Sequence, residues 1–407
     1  MGYFGQTIKG ISWIGGLRGV TRGLAFVRIL ILARLLTPSQ FGLFGVASFM
    51  LALVEVFTET GINIFLVQRE GKIDNYLSSA WIISIFRGFI IFTVILVSAP
   101  FASSLFNAQD ALGLLILIAF VPLVRGFINP AVVLYQKELS FHKEFYFKAT
   151  VLSFEVVVSV ILAYLLRSPA GLILGLIASA ILEVFLSFLL IKSRPTFKFE
   201  RMRFVEVLHT GKWVTISTIF NYLYQNVDDM VVVRFLNTTS LGFYQMAYKL
   251  AMLPITEVAD VVGRVTFPVY ARISGDKKRL KKAFYKTIAA NLILSSPVVI
   301  VFIIFPNQIV LLILGEKWLG AVPAFQVLVF FGLARAVTSP ATVLLLALKR
   351  QDVVAKISLG TFLLMALTII PFVTIWGIFG AGLSSVLASV IMIPFAYYFS
   401  LRYFSDK

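Results

Sequence analysis

The sequence has no cysteine and only two histidines among its 407 residues. Without cysteine there is no disulfide framework, no thiol nucleophile and no cysteine-bound metal. The chain also lacks a Gly-x-x-x-x-Gly-Lys-[Ser/Thr] phosphate loop, a strand followed by Gly-x-Gly-x-x-Gly, and any His/Glu pair at metal-binding spacing. The absence of these motifs predicts that the chain has no catalytic residue, no metal and no cofactor. It also excludes ATP hydrolysis by this chain as the driving force.

Charged residues are scarce, at 14%, whereas hydrophobic residues make up 59% and include 39 phenylalanines. Such a composition excludes a water-soluble globule. A helix needs about 20 mostly apolar residues to cross a bilayer, and only helices satisfy their own backbone at this length in lipid. We predict an all-α polytopic membrane protein with about twelve spans, at 11–35, 41–64, 79–104, 111–135, 145–166, 170–191, 211–235, 242–266, 286–305, 322–347, 354–376 and 379–401.

The chain repeats itself. Arg34-Leu-Leu-Thr-Pro-Ser-Gln-Phe-Gly-Leu-Phe44 is matched by Arg234-Phe-Leu-Asn-Thr-Thr-Ser-Leu-Gly-Phe-Tyr244, and Trp13 by Trp213, all at a spacing of 200 residues. Duplicated membrane halves are typical of transporters in which one lobe moves against the other. We predict two pseudo-symmetric six-helix lobes, 1–195 and 211–407, around a central cavity. Segment 196–210 alternates aromatic and basic residues, which predicts an interfacial helix between the lobes.

The basic residues lie mainly on one side of the predicted topology. With the N-terminus inside, most of the 36 lysines and arginines fall in cytoplasmic segments, whereas the opposite loops keep only Arg167 and Lys317. This asymmetry follows the positive-inside rule and predicts that both termini are cytoplasmic. The basic runs could be read as nucleic-acid patches, but juxtamembrane binding to anionic lipid explains them better.

The first span carries glycines at Gly15, Gly19 and Gly23, with Arg18 and Arg22 on the same stripe and Arg28 nearby. A row of glycines often marks a packing seam between helices. A tight apolar seam does not explain the arginines beside it, because a charge at mid-bilayer costs roughly 2.5–3.5 kcal/mol. The guanidinium group suits phosphate, so the stripe favours a polyanionic head group as cargo.

Acidic residues also lie at membrane depth and share helix faces. They are Glu55 and Glu59 in span two, Asp228 and Asp229 in span seven, and Glu257 and Asp260 in span eight. Asp228 is the repeat mate of Arg28, which predicts opposite charges across the central cavity. Buried carboxylates of this kind carry protons or bind sodium, or they form static salt bridges that close the lobes. Both readings remain open for each acid.

Two further arginines, Arg125 and Arg335, each precede a proline by five residues, at Pro130 and Pro340. We interpret both as structural groups that stabilise kinked helices, since proline removes a backbone hydrogen bond and bends a helix.

The Arg34–Phe44 phrase, the acidic second span ending Glu59-Thr-Gly-Ile-Asn63 and the Val67-Gln-Arg69 that follows resemble the polysaccharide transporter family of oligosaccharide-lipid flippases. That family shares a superfamily with multidrug exporters and lipid II flippases. The resemblance implies movement of an undecaprenyl-diphosphate-linked oligosaccharide from the inner to the outer leaflet of a bacterial inner membrane, for cell-surface polysaccharides such as lipopolysaccharide or exopolysaccharide. It also implies a cationic cavity, for which the candidates are Arg18, Arg22, Arg28, Arg87 and Arg264.

Several alternatives remain at this point. The driving force is H⁺, Na⁺ or the membrane potential, and the partners implied are a polysaccharide polymerase and glycosyltransferases, with the flippase itself a monomer. An ion-coupled multidrug exporter of the same fold is the alternative function, although a cationic cavity disfavours cationic drugs. A membrane glycan polymerase is disfavoured by the short outer loops, and an assembly scaffold by the buried charges.

Overall fold

The computed structural model describes residues 3–69, 73–197, 219, 222, 223 and 225–405. These residues form helices joined by short turns, and no strand occurs among them. Seven of the described helices are long and apolar enough to cross a membrane, and one bent helix pair adds an eighth if it counts as a single span. The prediction of an all-α polytopic membrane protein is confirmed.

The chain divides into two compact units, Met1–Gln225 and Asn226–Lys407. The predicted linker helix at 196–210 and the first part of the predicted seventh span lie largely outside the described residues. The predicted lobe boundaries therefore stay predictions.

The first unit contains nine α-helices within its described part. They are α1 Tyr3–Leu35, α2 Pro38–Phe57, α3 Ile62–Gln68, α4 Asp74–Leu105, α5 Leu112–Ile118, α6 Phe120–Arg125, α7 Leu134–Lys137, α8 Phe141–Leu166 and α9 Ala170–Leu190. Short 3-10 turns at Gln109–Ala111 and Pro130–Val133 precede α5 and α7. Buried Leu66, Ile73 and Leu77 are at the centre of a core that joins α3 to α4 and to the second of these turns.

Two of the predicted spans are broken in this unit. Span two ends as α2 at Phe57, and the chain passes through left-handed Gly61 (φ 63°) into the short α3. Span four ends as α6 at Arg125 and continues from Pro130 at an angle of 72°. Pro130 cannot donate to a helix and disfavours a helical residue before it, while the Asn129 side chain accepts from the Ala131 N–H instead. The predicted continuous helix at 111–135 is therefore two segments.

The long helices α8 and α9 form a tightly packed hairpin. A Cβ built on Gly171 would lie 2.4 Å from the Ala163 backbone nitrogen, and one on Gly175 would lie 2.1 Å from Ser159 Oγ. Only glycine permits backbones to approach this closely. The other face of α8 packs against α1, where Trp13 contacts Phe145 and Tyr146.

The second unit contains five further helices with described bounds. They are α10 Thr238–Arg272, α11 Lys277–Ile304, α12 Pro306–Ile313, α13 Val322–Ala347 and α14 Gln351–Ser405, and residues 225–235 are helical as well. Helix α13 packs against α10, α11 and α14, and it runs without interruption through Pro340. The two prolines preceded by arginine thus differ, because the chain breaks before Pro130 but not at Pro340.

Helix α14 has 55 residues and would extend about 80 Å if it were straight, far more than a bilayer thickness. Gly377 interrupts it with non-helical angles (φ 60°, ψ −139°). The side chains of Thr368 and Ser384 lie 2.7 Å apart across the break, although they are 16 residues apart in sequence. The chain therefore reverses at Gly377, between the predicted spans 354–376 and 379–401.

Helices begin at matching positions in the two halves of the chain, as the repeated sequence segments indicated. Helices begin at Pro38 and Thr238, 200 residues apart, and at Leu112 and Val322, 210 residues apart. The N-cap residues of the first pair, Thr37 and Asn237, both accept a hydrogen bond from the backbone three residues on. The two phrases therefore specify the same local structure.

Candidate functional site

The glycine row of α1 faces open space. A Cβ added at Gly15, Gly19 or Gly23 would meet no atom within 4 Å. Arg18 beside them is exposed and Arg22 is half-buried. Among the described residues this stripe is therefore not a packing seam, and it presents the Arg18 side chain on an exposed helix face.

Arg28 has a different environment from Arg18 and Arg22 of the same helix. Its Nη1 donates to Glu155 Oε1 of α8 at 2.5 Å, and the two side chains are only 19% and 11% exposed. This ion pair connects α1 to α8, the helix against which α1 packs. Arg28 is thus held by an ion pair within the unit, whereas the Arg18 side chain is exposed.

Arg87 of α4 holds the end of α2. Its Nη2 donates to the carbonyl oxygen of Glu55 at 2.8 Å and to Glu59 Oε2 at 3.2 Å. The last carbonyls of a helix carry partial negative charge, so a guanidinium there stabilises the helix end. Glu59 Oε1 in turn accepts from the Gly61 N–H at 3.1 Å, which fixes the turn into α3.

A polar cavity of about 280 Å³ lies where the two broken spans meet α4. Its charged lining consists of Glu55, Glu59, Arg87 and Arg125. The sequence pattern predicted only a structural role for Arg125, but the structure places it in this cavity with its Nε buried and without a hydrogen-bond partner among the described residues. The only signal in the sequence was its position at membrane depth, which Arg335 shares.

Arg125 also links the cavity to the rest of the unit. It interacts electrostatically with Glu55 on one side and with Glu183 of α9 on the other. Glu183 interacts in turn with Glu155, the partner of Arg28. Carboxylates of α2, α8 and α9 therefore lie within electrostatic range of Arg125 or of one another.

The candidate residues of the second unit form a separate group. Asp228 is buried, and its Oδ2 accepts from the Tyr244 hydroxyl at 2.7 Å. Asp229 Oδ2 accepts from Gln245 Nε2 at 2.8 Å. Both acids are therefore tied to the first turns of α10 within the same unit.

Further along α10, the charged residues predicted at membrane depth are more exposed than Asp228. Glu257 is half-buried, whereas Asp260 and Arg264 are exposed. Chemically, the exposed arginines of α1 and α10 suit an anionic ligand. Among the described residues, no cluster of three His, Asp or Glu side chains is placed to hold a metal ion.

Comparisons with known proteins agree with this architecture. A sequence model described as "Polysaccharide biosynthesis protein" matches residues 31–323. The "Lipopolysaccharide biosynthesis protein WzxC" of Escherichia coli (strain K12) is 27% identical over 401 residues, which cover 98% of this chain and 81% of that protein. The "Succinoglycan biosynthesis transport protein ExoT" of Rhizobium meliloti (strain 1021) is 24% identical over 342 residues, covering 84% and 68%.

Solved structures show the same fold. "Lipid II flippase MurJ, inward closed conformation" superposes with a TM-score of 0.75 at 18% identity, over 95% of this chain and 87% of that chain. An inward-facing multidrug resistance MATE family transporter superposes with a TM-score of 0.71 at 16% identity, over 93% and 94%. At such identities the likeness concerns the fold alone. The family resemblance indicated by the Arg34–Phe44 phrase is confirmed by the sequence matches.

Proposed function

The chain belongs to the polysaccharide biosynthesis protein family, and on that premise we propose that it is a flippase for an undecaprenyl-diphosphate-linked oligosaccharide. It moves the cargo from the cytoplasmic to the outer leaflet of the bacterial inner membrane, as one step in making a cell-surface polysaccharide. It is a transporter and not an enzyme. Its polymerase and glycosyltransferase partners supply and consume the cargo, and the flippase acts as a monomer.

The observation that carries this proposal is the open arginine stripe of α1. Arg18 and Arg22 are one helical turn apart, about 6 Å along the axis, so both guanidinium groups reach a single diphosphate. Arginine binds phosphate oxygens through paired N–H groups, and these bonds are strong where water is depleted. The glycine row beside them, Gly15, Gly19 and Gly23, leaves room next to the helix for a bulky head group. In the second unit, Arg264 of α10 is likewise exposed, and its guanidinium group suits the same class of anionic ligand.

The movement follows from the duplicated architecture. Twelve spans form two six-helix lobes that rock about a central cavity, with both termini in the cytoplasm and basic loops held on that side. The recurring helix starts and the fold shared with other transporters support this arrangement. The glycan crosses through the hydrated cavity while the polyprenyl tail stays in lipid. The acids at Asp228, Asp229, Glu257 and Asp260 couple the motion to an ion or act as gates.

A multidrug exporter of the same fold is the second candidate, favoured by the superposition on a multidrug transporter. A neutral drug forms no ion pair with the arginine stripe, and a cationic drug is repelled by it. Charge complementarity therefore favours the diphosphate cargo.

The test is a flipping assay with purified protein in liposomes. The probe is fluorescent undecaprenyl diphosphate that bears one hexose, and a membrane-impermeant quencher reports which leaflet holds it. We expect the protein to make the inner-leaflet probe accessible, and an excess of inorganic diphosphate to slow that process. Liposomes in which the probe stays inaccessible, while a cationic dye is transported, would overturn the proposal in favour of the exporter.

A further inference from the structure

Helix α13 of the second unit passes through Pro340 without a break, although proline has no backbone N–H to donate. The missing donor leaves the carbonyl oxygen of Ala336, four residues earlier, without its helical partner, and the proline ring crowds the same turn. Both residues are buried, so bulk water does not reach the freed oxygen. A buried carbonyl oxygen without a donor is costly, and another group must therefore supply one.

Side chains of two neighbouring helices donate to this turn of α13. Asn291 Nδ2 of α11 lies 3.3 Å from the Ala336 carbonyl oxygen, the one that Pro340 leaves free. The Tyr397 hydroxyl of α14 donates to the carbonyl oxygen of the next residue, Val337, at 2.8 Å. The first bond replaces the one that the proline removes, and the second supports the adjacent turn. Helix α13 therefore depends on donors from outside to stay continuous.

Pro340 also separates two segments of α13 that pack against different helices. After the proline, Leu344 belongs to a buried core with Leu280 and Phe284 of α11. Before it, a Cβ built on Gly332 would lie 2.8 Å from Ile255 Cδ1, so this segment fits closely against α10. A bend at Pro340 would therefore move one segment while the other keeps its packing.

The first unit contains the other form of this span. Pro130 precedes Pro340 by 210 residues, and the chain there is bent by 72°. Asn129 stabilises the break, because its Oδ1 accepts from the Ala131 N–H and its Nδ2 donates to the Ser193 carbonyl oxygen at 2.8 Å. One repeated span is thus broken in the first unit and continuous in the second.

The donor on α11 has a second arrangement available. Asn291 Oδ1 and Ser295 Oγ are buried, and neither has a hydrogen-bond partner among the described residues. Side chains four residues apart on a helix are neighbours, so the Ser295 hydroxyl can donate to the Asn291 amide oxygen once that amide turns away from Ala336. The bond that supports α13 therefore has a local competitor.

We propose that Asn291 and Tyr397 form a clamp that holds α13 continuous at Pro340, and that release of this clamp lets α13 bend there during transport. Both are positioning residues, since they act through α13 and not on the cargo. The segment before the proline carries Arg335, which is exposed and suits an anionic ligand, so the bend redirects an anion-binding group. The role in transport rests on the proposed flippase function, whereas the clamp itself does not.

The experiment measures the bend directly, without cargo. The chain has no cysteine, so two introduced cysteines can carry spin labels whose separation is read by pulsed electron paramagnetic resonance. Phe330→Cys and Lys349→Cys place labels at exposed positions on either side of the proline. A straight helix would separate these positions by about 28 Å, and a bend like that of the first unit would shorten this by about 5 Å.

We expect the wild-type protein to show mainly the longer separation. Tyr397→Phe and Asn291→Leu should each raise the ratio of bent to straight forms about twofold to tenfold, the effect of losing one hydrogen bond. Tyr398→Phe is the matched control, because it removes an exposed hydroxyl from the neighbouring position and should leave the distances unchanged. Tyr397→Phe keeps the ring and its packing, so it decides the matter even where Asn291→Leu fails to fold.

Pro340→Ala distinguishes a clamp from a merely structural role in the core. Alanine returns the backbone N–H, so the Ala336 carbonyl regains its helical partner. In this background we expect only the longer separation and no effect of Tyr397→Phe. Wild-type distances in Tyr397→Phe, or an effect of Tyr397→Phe that persists beside Pro340→Ala, overturn the clamp.

The flipping assay with the fluorescent probe tests the part in transport. Pro340→Ala should flip the probe at least about tenfold more slowly than wild-type protein, although its fold is intact. An unchanged rate would show that the bend has no part in transport. Wild-type protein that flips no probe contradicts the flippase function itself, and the distances measured without cargo still decide the clamp.

Discussion

Arg28 of α1 and Glu155 of α8 form an ion pair between residues 127 positions apart, with both side chains largely shielded from water. A shielded pair of this kind contributes little net free energy, but loss of one partner leaves an uncompensated charge. Arg28 and Arg18 are on the same helix and yet differ in role, because Arg28 is held by a carboxylate and Arg18 is exposed.

Removing one member of that pair should destabilise the first unit. We expect Arg28→Gln or Glu155→Gln to lower the free energy of unfolding by about 2 kcal/mol, the usual loss for a shielded charge-assisted hydrogen bond. The double variant should recover most of this loss, since neither charge is then left alone. Thermal unfolding of the purified protein in detergent measures both. If the double variant loses as much stability as the two single variants added together, the two residues do not act as a pair.

The two arginines of the α1 stripe, exposed Arg18 and half-buried Arg22, should show the opposite pattern. We expect Arg18→Gln and Arg22→Gln each to reduce flipping of the diphosphate probe at least about tenfold, because one charge-assisted hydrogen bond contributes about 1.5–3 kcal/mol. The thermal unfolding temperature of Arg18→Gln should stay unchanged, because the Arg18 side chain is exposed. Arg18→Lys should retain part of the activity, since lysine keeps the charge but loses the paired donors.

Arg34→Gln is the control for this series, because Arg34 is exposed on the same helix near its end, beyond the glycine row. It should flip the probe at the wild-type rate. If all three arginine variants lose activity alike, a general effect of positive charge near the membrane surface would explain the result, and the phosphate role of the stripe would be wrong.

Hydropathy and periodicity predicted the class of protein, the positions of most spans and the stripe on α1. These features are local, since they depend on residues within one or two helical turns of each other. The helix starts at Pro38 and Thr238 were also predictable, because cap residues Thr37 and Asn237 recur in the repeated phrases.

The partners within the first unit were not predictable from the sequence. Nothing near Arg28 indicates Glu155, because helix packing alone brings them together. The break after Arg125 lies in an apolar run that hydropathy reads as one span, although Asn129-Pro130 is a local signal for it. Without that break Arg125 looks like a structural group, and with it Arg125 lines a cavity that also holds Glu55 and Glu59.

Two glycine rows that look alike in sequence should respond differently to alanine. Gly171 of α9 has no room for a methyl group, since its Cβ would lie 2.4 Å from the Ala163 nitrogen. Gly171→Ala should therefore force α8 and α9 apart and lower the free energy of unfolding by about 1–3 kcal/mol, as overpacking does. Gly19→Ala meets open space and should leave stability unchanged or raise it by up to about 1 kcal/mol, because alanine favours a helix. Thermal unfolding of the two variants side by side measures the difference. A comparable loss for Gly19→Ala would mean that the α1 row is a packing seam after all, and the open face proposed for the diphosphate would then not exist.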